Sequence, residues 1–380
     1  TVRTSIASTV ASTLTQGSTA SLTYAGTTIT PTLDASASGN TVTYSGTTQT
    51  VKLSTYHHLI ISGSGAKTLG GAITVNGDFS INAGTLATNV YQITGNATGT
   101  FSMAASTGLY VGLNSSTTDV LFPTNFTNGH ISLSSTSTVY YYGNYAQTVS
   151  SVPTYGNLNI VIFAGAKTAN GNITVEGNLT TTTSTLTMTT YNLNVRGNYV
   201  GAGALSFTTG TFNIDGNYTN TGTFTKGTGT VNYSGGSAQT VRGVNYNNLT
   251  FSSTGDKLLQ ASATVGISGT FTRGTMTVTP GTSSTVTFNG AAQTMTGSAT
   301  SFVNLAISGT TTLSAPASFT VSGNLTTTSG GTLAMTTNTL NVTGNYAGGG
   351  SLSFTSGTFN LTGNYTGAGS LAFTTGTFNI

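Results

Sequence analysis

The sequence predicts an all-β fold, a parallel β-helix (β-solenoid) of roughly 20-residue coils. Three observations carry this: a composition that disfavours helices, short runs in which apolar and polar residues alternate, and a Gly-Asn signature recurring at a near-constant step. Only 4% of the 380 residues are charged, while Gly occurs 51 times. Thr, Ser, Asn and Gly fill the polar positions and form helices poorly, whereas Thr with Val, Ile, Tyr and Phe suits pleated strands. The chain is 36% hydrophobic, with 17 Tyr and 17 Phe regularly spaced, which supplies a core and argues against a disordered linker.

Residues 1–40 are rich in Ala, Ser and Thr, contain Pro31 and show one repeat fragment, SLTYAGTT from Ser21. They read as a cap, an assembly arm or a leader. Four supermodules follow, at 41–137, 138–229, 230–284 and 285–380. Each opens on a TVxYxG-type string that leads to Gln-Thr, at Gln49, Gln147, Gln239 and Gln293, and then to a strand such as HLIIS from His58 or NLTFS from Asn248. Gly-Asn pairs recur at 177, 197 and 216, and again at 323, 344 and 363, in steps of 19–21 residues. That step is about one coil of a β-helix. The pairs are expected to supply turn positions that tolerate positive φ.

Within LSFTTGTFNI, Leu205, Phe207, Phe212 and Ile214 share one face, and Ser206, Thr208, Thr211 and Asn213 the other, with Gly210 resetting the alternation. The alternative architecture is a row of tandem β-sandwich domains. Spacings of 98 and 92 residues between the first three glutamines would suit sandwiches, but the next spacing is 54. A sandwich cannot lose half its strands and close its core, whereas a solenoid can drop whole coils.

The residues that could carry chemistry are few. A net charge of +3, with nine Lys and Arg scattered singly, gives no nucleic-acid footprint. No run of about 18 apolar residues predicts a membrane-spanning helix, and cysteine is absent. The six acids Asp34, Asp78, Asp119, Glu176, Asp215 and Asp256 are dispersed, so paired-carboxylate hydrolysis is not expected. His57 and His58 are expected on opposite faces of a strand, and with His130 they make no metal set. No catalytic, cofactor or metal residue is therefore expected, and the chain does not read as an enzyme.

Lys67, Lys167 and Lys257 occupy matching places and read as turn lysines that discourage edge pairing, or as a cross-linking or ligand-binding row. Tyr199, Tyr218, Tyr346 and Tyr365 each follow Gly-Asn and read as a stacking ladder over the turn, with an aromatic platform for a glycan as the functional alternative. The Thr positions drift between coils and form no regular rows of the kind an ice-binding face needs.

The string GTVNYSGGSAQTV, continuing through YNNLTFSS and accompanied by GTFT and TLTMTT, resembles the β-strand-repeat surface proteins of gliding and biofilm-forming bacteria, broadly similar to filamentous-haemagglutinin-like adhesins and extracellular filament proteins. The resemblance covers about residues 40–380. It implies export, a cell-surface location, and adhesion or matrix building. The sequence stops at Ile380 within a repeat, so either the natural chain is longer or the open end pairs head-to-tail with another copy; the second, a homo-polymer, is expected, with a glycan or neighbouring-cell ligand as a possible partner. The alternative is a carbohydrate-binding or carbohydrate-active β-helix protein.

Overall fold

A computed structural model describes residues 12–161, 165–297 and 300–380. Every strand pair in it is parallel, and the sole helix among the described residues is a single 3-10 turn at Asn128–His130. Short strands separated by bends repeat along the chain, and each pairs with the strand one coil later. Thr41 lies beside His58 and Phe271 beside Met295, so most coils take between 17 and 24 residues. This is the β-solenoid, and the tandem-sandwich alternative is set aside. The chain divides into two compact units, 1–205 with 220–223, and 206–219 with 224–380.

In the first unit one sheet runs from Ser21–Tyr24 through Thr41–Tyr44, His58–Ile61, Phe79–Ile81 and Phe101–Met103 to Ile131–Leu133. A second runs from Gln49–Val51 to Tyr199–Gly201. A third, narrower sheet holds Thr55–Tyr56, Ile73–Val75 and Ile93–Thr94. Residues 12–40, which the sequence leaves open between cap, arm and leader, are part of this stack: Ser21–Tyr24 pairs in register with Thr41–Tyr44, and Leu22 and Leu33 are buried. Residues 1–11 lie outside the described residues.

The second unit repeats the plan. One sheet runs from Asn245–Tyr246 to Tyr365–Thr366, another holds Phe319–Val321, Thr339–Val342, Thr358–Leu361 and Thr377–Asn379, and the run from Thr211–Ile214 to Ser370–Phe373 closes the coil.

Alternation decides what is inside. Leu205, Phe207, Phe212 and Ile214 are buried, as their spacing predicts, while Thr211 and Asn213 face outward. Parallel in-register pairing puts like on like, so the interior becomes columns of the same residue: Phe354 stacks on Phe373 at 4.9 Å and Phe79 on Phe101 at 4.8 Å. Such pairs contribute about 0.5–1.5 kcal/mol beyond the area they bury. Outside, the same register builds amide ladders, with Asn341, Asn360 and Asn379 bonded in sequence at 2.7 and 2.6 Å.

The Gly-Asn pairs do something different from the expectation. Gly177, Gly197, Gly323, Gly344 and Gly363 are not in the left-handed region. They are glycine because coils approach closely: a Cβ on Gly344 would fall on the Gly323 carbonyl and within 2.8 Å of Asn324 Oδ1. The Asn side chains run the next ladder, each Oδ1 accepting the backbone N–H of the following Asn, from Asn304 to Asn324 (3.0 Å), Asn345 (2.9 Å) and Asn364 (3.0 Å).

Because each coil contacts its neighbours, a whole coil should be removable. Deleting residues 344–362 places Gly363 where Gly344 stood and keeps every face inward or outward as before. Urea unfolding is expected to show a cooperative transition with nearly the native midpoint. A deletion of half that length shifts the stacking register and should lose the transition.

Candidate functional site

The repeated polar residues of the sequence converge on one corner motif. In all four supermodules the glutamine is buried and joins consecutive coils. Gln239 Oε1 accepts the Gly235 N–H (2.9 Å), and its Nε2 donates to the carbonyls of Ile214 (2.9 Å) and Gly216 (2.6 Å). Gln49 repeats this with Gly46, Tyr24 and Gly26. Gln293 does so with Gly290, Ile267 and Gly269. Gln147 does so with Gly143, Val111 and Val120. A side-chain amide is suited to this place because it accepts one bond and donates two without carrying charge.

The three matching lysines are a correction. They do not sit at exposed turns: Lys67, Lys167 and Lys257 have no exposed surface, and each pairs in register with the glutamine of the preceding coil. Their Nζ atoms donate to backbone carbonyls, Lys67 to Gly63 (2.7 Å), Lys167 to Gly143 (2.7 Å) and Tyr145, and Lys257 to Gly255 (2.7 Å) and Gly235 (3.1 Å). Burial lowers all three amines, and takes Lys167 to about 8 against the opposing charge of Asp119.

Buried tyrosine pairs brace the same corners. Tyr233 and Tyr246 share a hydroxyl contact of 2.8 Å, Tyr233 accepting the Arg242 N–H and Tyr246 donating to the Arg242 carbonyl. Tyr44 with Tyr56 and Tyr141 with Tyr155 repeat it around Lys52 and Ser150. Burial pushes Tyr141 and Tyr233 up to about 12, and raises their partners Tyr155 and Tyr246 well above the ordinary tyrosine value. The fourth supermodule carries Phe288, Phe302 and Leu313 at these places, so its corner keeps the glutamine but lacks the tyrosine pair and the lysine, and the strand Ala292–Thr296 there is extended to five residues.

The titrations of Lys167 and the tyrosines oppose each other. Between about pH 8 and the ordinary lysine value of 10.5 the unfolded chain holds a proton on Lys167 that the folded chain has released, so stability rises with pH. Above pH 10 unfolded tyrosines ionise while buried ones do not, and stability falls. The first unit should therefore gain on the order of 2 kcal/mol between pH 7.5 and 9.5. Urea unfolding across that range checks this, and Lys167→Leu should flatten the rise.

The sequence-predicted tyrosines lie inside the coils. Tyr199 and Tyr346 are fully buried, with hydroxyls on Thr181 (3.0 Å) and Thr327 (2.9 Å). Tyr218 is buried against Phe212 and Phe224 and lies 5.0 Å from the Arg242 guanidinium. Tyr365, half-buried, follows Tyr346 in register with centroids 5.1 Å apart. The buried rings of Tyr199, Tyr218 and Tyr346 offer no face to a glycan.

An outward aromatic group does exist where the repeats gave no reason to look. Tyr110 and Tyr140 stack at 4.2 Å and 3°, with Tyr142 edge-on at 5.3 Å.

The histidine expectation is also corrected. His57 precedes the strand His58–Ile61 at a bend, so the rings meet at 4.3 Å and do not diverge to opposite faces. His58 Nδ1 accepts the Asp78 N–H (3.0 Å) and lies 3.4 Å from its carboxylate. Burial works to raise the Asp78 carboxyl, but hydrogen bonds from the Thr100 N–H and hydroxyl and the charge of both histidines outweigh it and hold it below the usual value. Among the other acids, Glu176 pairs with Arg196 (2.9 Å), Asp215 accepts from Ser234 (2.6 Å) and Asp34 from Ser36 (2.8 Å). Among the described residues no three His, Cys, Asp or Glu side chains form a metal-holding group.

One coil departs from the repeat. The coil between Gly108 and its register partner Thr138 takes 30 residues, because the segment 112–130 forms no strand and rejoins the stack through a bridge from Thr124 to Thr94 and the buried side chains of Val120, Phe122 and Phe126. This insertion borders a cleft of about 320 Å³ whose floor includes Phe122 and Phe126, which tie back to Phe101 at 5.6 and 5.7 Å. The sequence signal was the interruption itself, DVLFPTNF, which fits no repeat unit.

No protein-family model matches the chain, and neither the curated proteins nor the solved structures include a significant match. No helix among the described residues is long and apolar enough to cross a membrane.

Proposed function

We propose that this chain is a structural protein of the bacterial cell surface, a secreted scaffold for adhesion or biofilm matrix. The observation that carries the reading is where its recurrent polar chemistry goes. The Gln, Lys, Tyr and Gly-Asn residues that define the repeat bond to the backbone or side chains of neighbouring coils, as Gln239, Lys257 and Asn324 do. A repeat whose polar groups are committed to holding coils together serves extension and stiffness. The charge-poor Thr, Ser and Asn exterior suits a protein that stands outside the cell, and the resemblance to β-strand-repeat surface proteins agrees.

The register that adds one coil to the next would equally add a coil from another copy, so head-to-tail homo-polymerisation belongs to the same proposal. Antibodies raised against residues 12–380 test the location. Labelling of intact cells of the source organism is expected, and labelling only after lysis would overturn it. Negative-stain images of the purified chain across a concentration series test assembly. A carbohydrate-binding role is a second reading, favoured by the cleft beside the insertion.

A further inference from the structure

We infer that the cleft beside the 112–130 insertion is a binding site for one neutral saccharide unit, carried on the scaffold as its recognition element. Its volume, about 320 Å³, is at the small end of the range that ligand clefts span. Its lips are Leu121 and Val152, exposed at 39% and 38%, and large apolar side chains this exposed are rare in the chain. The lining also carries polar atoms with no hydrogen-bond partner among the described residues: the side-chain amide of Asn125, Oγ1 of Thr148 and Nδ2 of Asn170, whose Oδ1 is held by the Ser151 N–H (2.9 Å). No lining side chain is ionised.

That mixture selects a chemical class. A nucleotide or phosphorylated ligand would need a cation, and a peptide would need a strand edge or a charge partner. A lipid chain would leave the hydroxyl and amides without partners. A pyranose ring offers both halves at once, a C–H face for Leu121 and Val152 and hydroxyls that donate to and accept from Asn125, Thr148 and Asn170.

The site is also preformed. The insertion is fixed at Val120 by the Tyr145 hydroxyl (2.6 Å) and Gln147 Nε2 (3.3 Å), at Leu121 by Gln92 Oε1 (3.0 Å), and at Thr124 by the Ile93 carbonyl (3.1 Å). Asn125 is held in the left-handed region at φ 66°. Sugar binding in such a cleft does not have to bear the cost of ordering a loop.

Saturation-transfer NMR on the whole chain tests this, with glucose, galactose, mannose, N-acetylglucosamine and their common disaccharides as probes and glucuronate as the charged counterpart. At least one neutral sugar should receive transfer, strongest on ring C–H protons. Thr148→Val should weaken it about tenfold, the loss of one hydrogen bond, and Leu121→Asp should abolish it. Circular dichroism confirms folding, since both side chains face the cleft and not the core. Absence of transfer to every neutral sugar would overturn the proposal. So would transfer that survives both substitutions, is lost instead in Tyr140→Ala, or is stronger for glucuronate.

Discussion

Gly235→Ala is expected to destabilise the second unit by more than about 3 kcal/mol, while Gly236→Ala, one residue away, stays within about 0.5 kcal/mol of the native chain. A Cβ on Gly235 would fall on the Asp215 carbonyl oxygen of the preceding coil and 2.8 Å from Gln239 Cδ. Both are fixed, the carbonyl by the solenoid backbone and the amide by its three hydrogen bonds. Neither can yield without opening the coil-to-coil contact. On Gly236 the nearest atom would be Ser253 Oγ at 3.8 Å, an ordinary contact. Gly46 and Gly290 meet their own glutamines in the same way, at 2.9 and 3.0 Å. Urea unfolding followed by circular dichroism measures the difference, and equal behaviour of the two substitutions would remove the corner motif from the account of stability.

The contrast between Gly235 and Gly236 also shows how far the sequence can be read. Aligned on the strand residues Tyr44, Tyr141, Tyr233 and Phe288, each two places before a glycine, the four strings already single out Gly235 as the recurrent glycine, and the inward faces follow from spacing alone. The lysines were misread although the alternation was informative: Lys67 has the parity of Leu69, and Lys257 that of Leu259, both buried. The ordinary exposure of lysine outweighed the period-two signal.

Other features were not legible. Strand parity does not govern a bend, so it placed His57 and His58 apart, and it gave no reason to pair Tyr233 with Tyr246 across a turn. The cleft was missed because repeat analysis reads what recurs. The insertion over 112–130 is informative because it does not.

Gln239→Leu is expected to cost the second unit about 2–4 kcal/mol, the penalty of leaving buried backbone groups without partners. Leucine fills most of the same space, so the loss isolates the hydrogen bonds: the Gly235 N–H and the Gly216 carbonyl lose the amide that bonds them, and the Ile214 carbonyl is left with the Ser234 N–H alone. Gln239→Glu sharpens the test when made together with Lys257→Leu, because the buried Lys257 amine lies in register with residue 239 and would otherwise pair with a carboxylate there and lower its pKa. An ionised carboxylate can accept from Gly235 but repels both carbonyls, whereas a protonated one accepts from Gly235 and donates to one of them. Its folded pKa should therefore lie above the ordinary value of about 4.3. The native chain then binds more protons than the unfolded chain above that value, and stability must fall as pH rises from 4.3 through the folded pKa. Urea midpoints at pH 4.5 and 7.5 should differ for Gln239→Glu with Lys257→Leu by more than for Lys257→Leu alone, while the deficit of Gln239→Leu stays constant. A Gln239→Leu protein as stable as the native one would mean that water replaces the amide at the corner, and that the joint between coils is held by stacking alone.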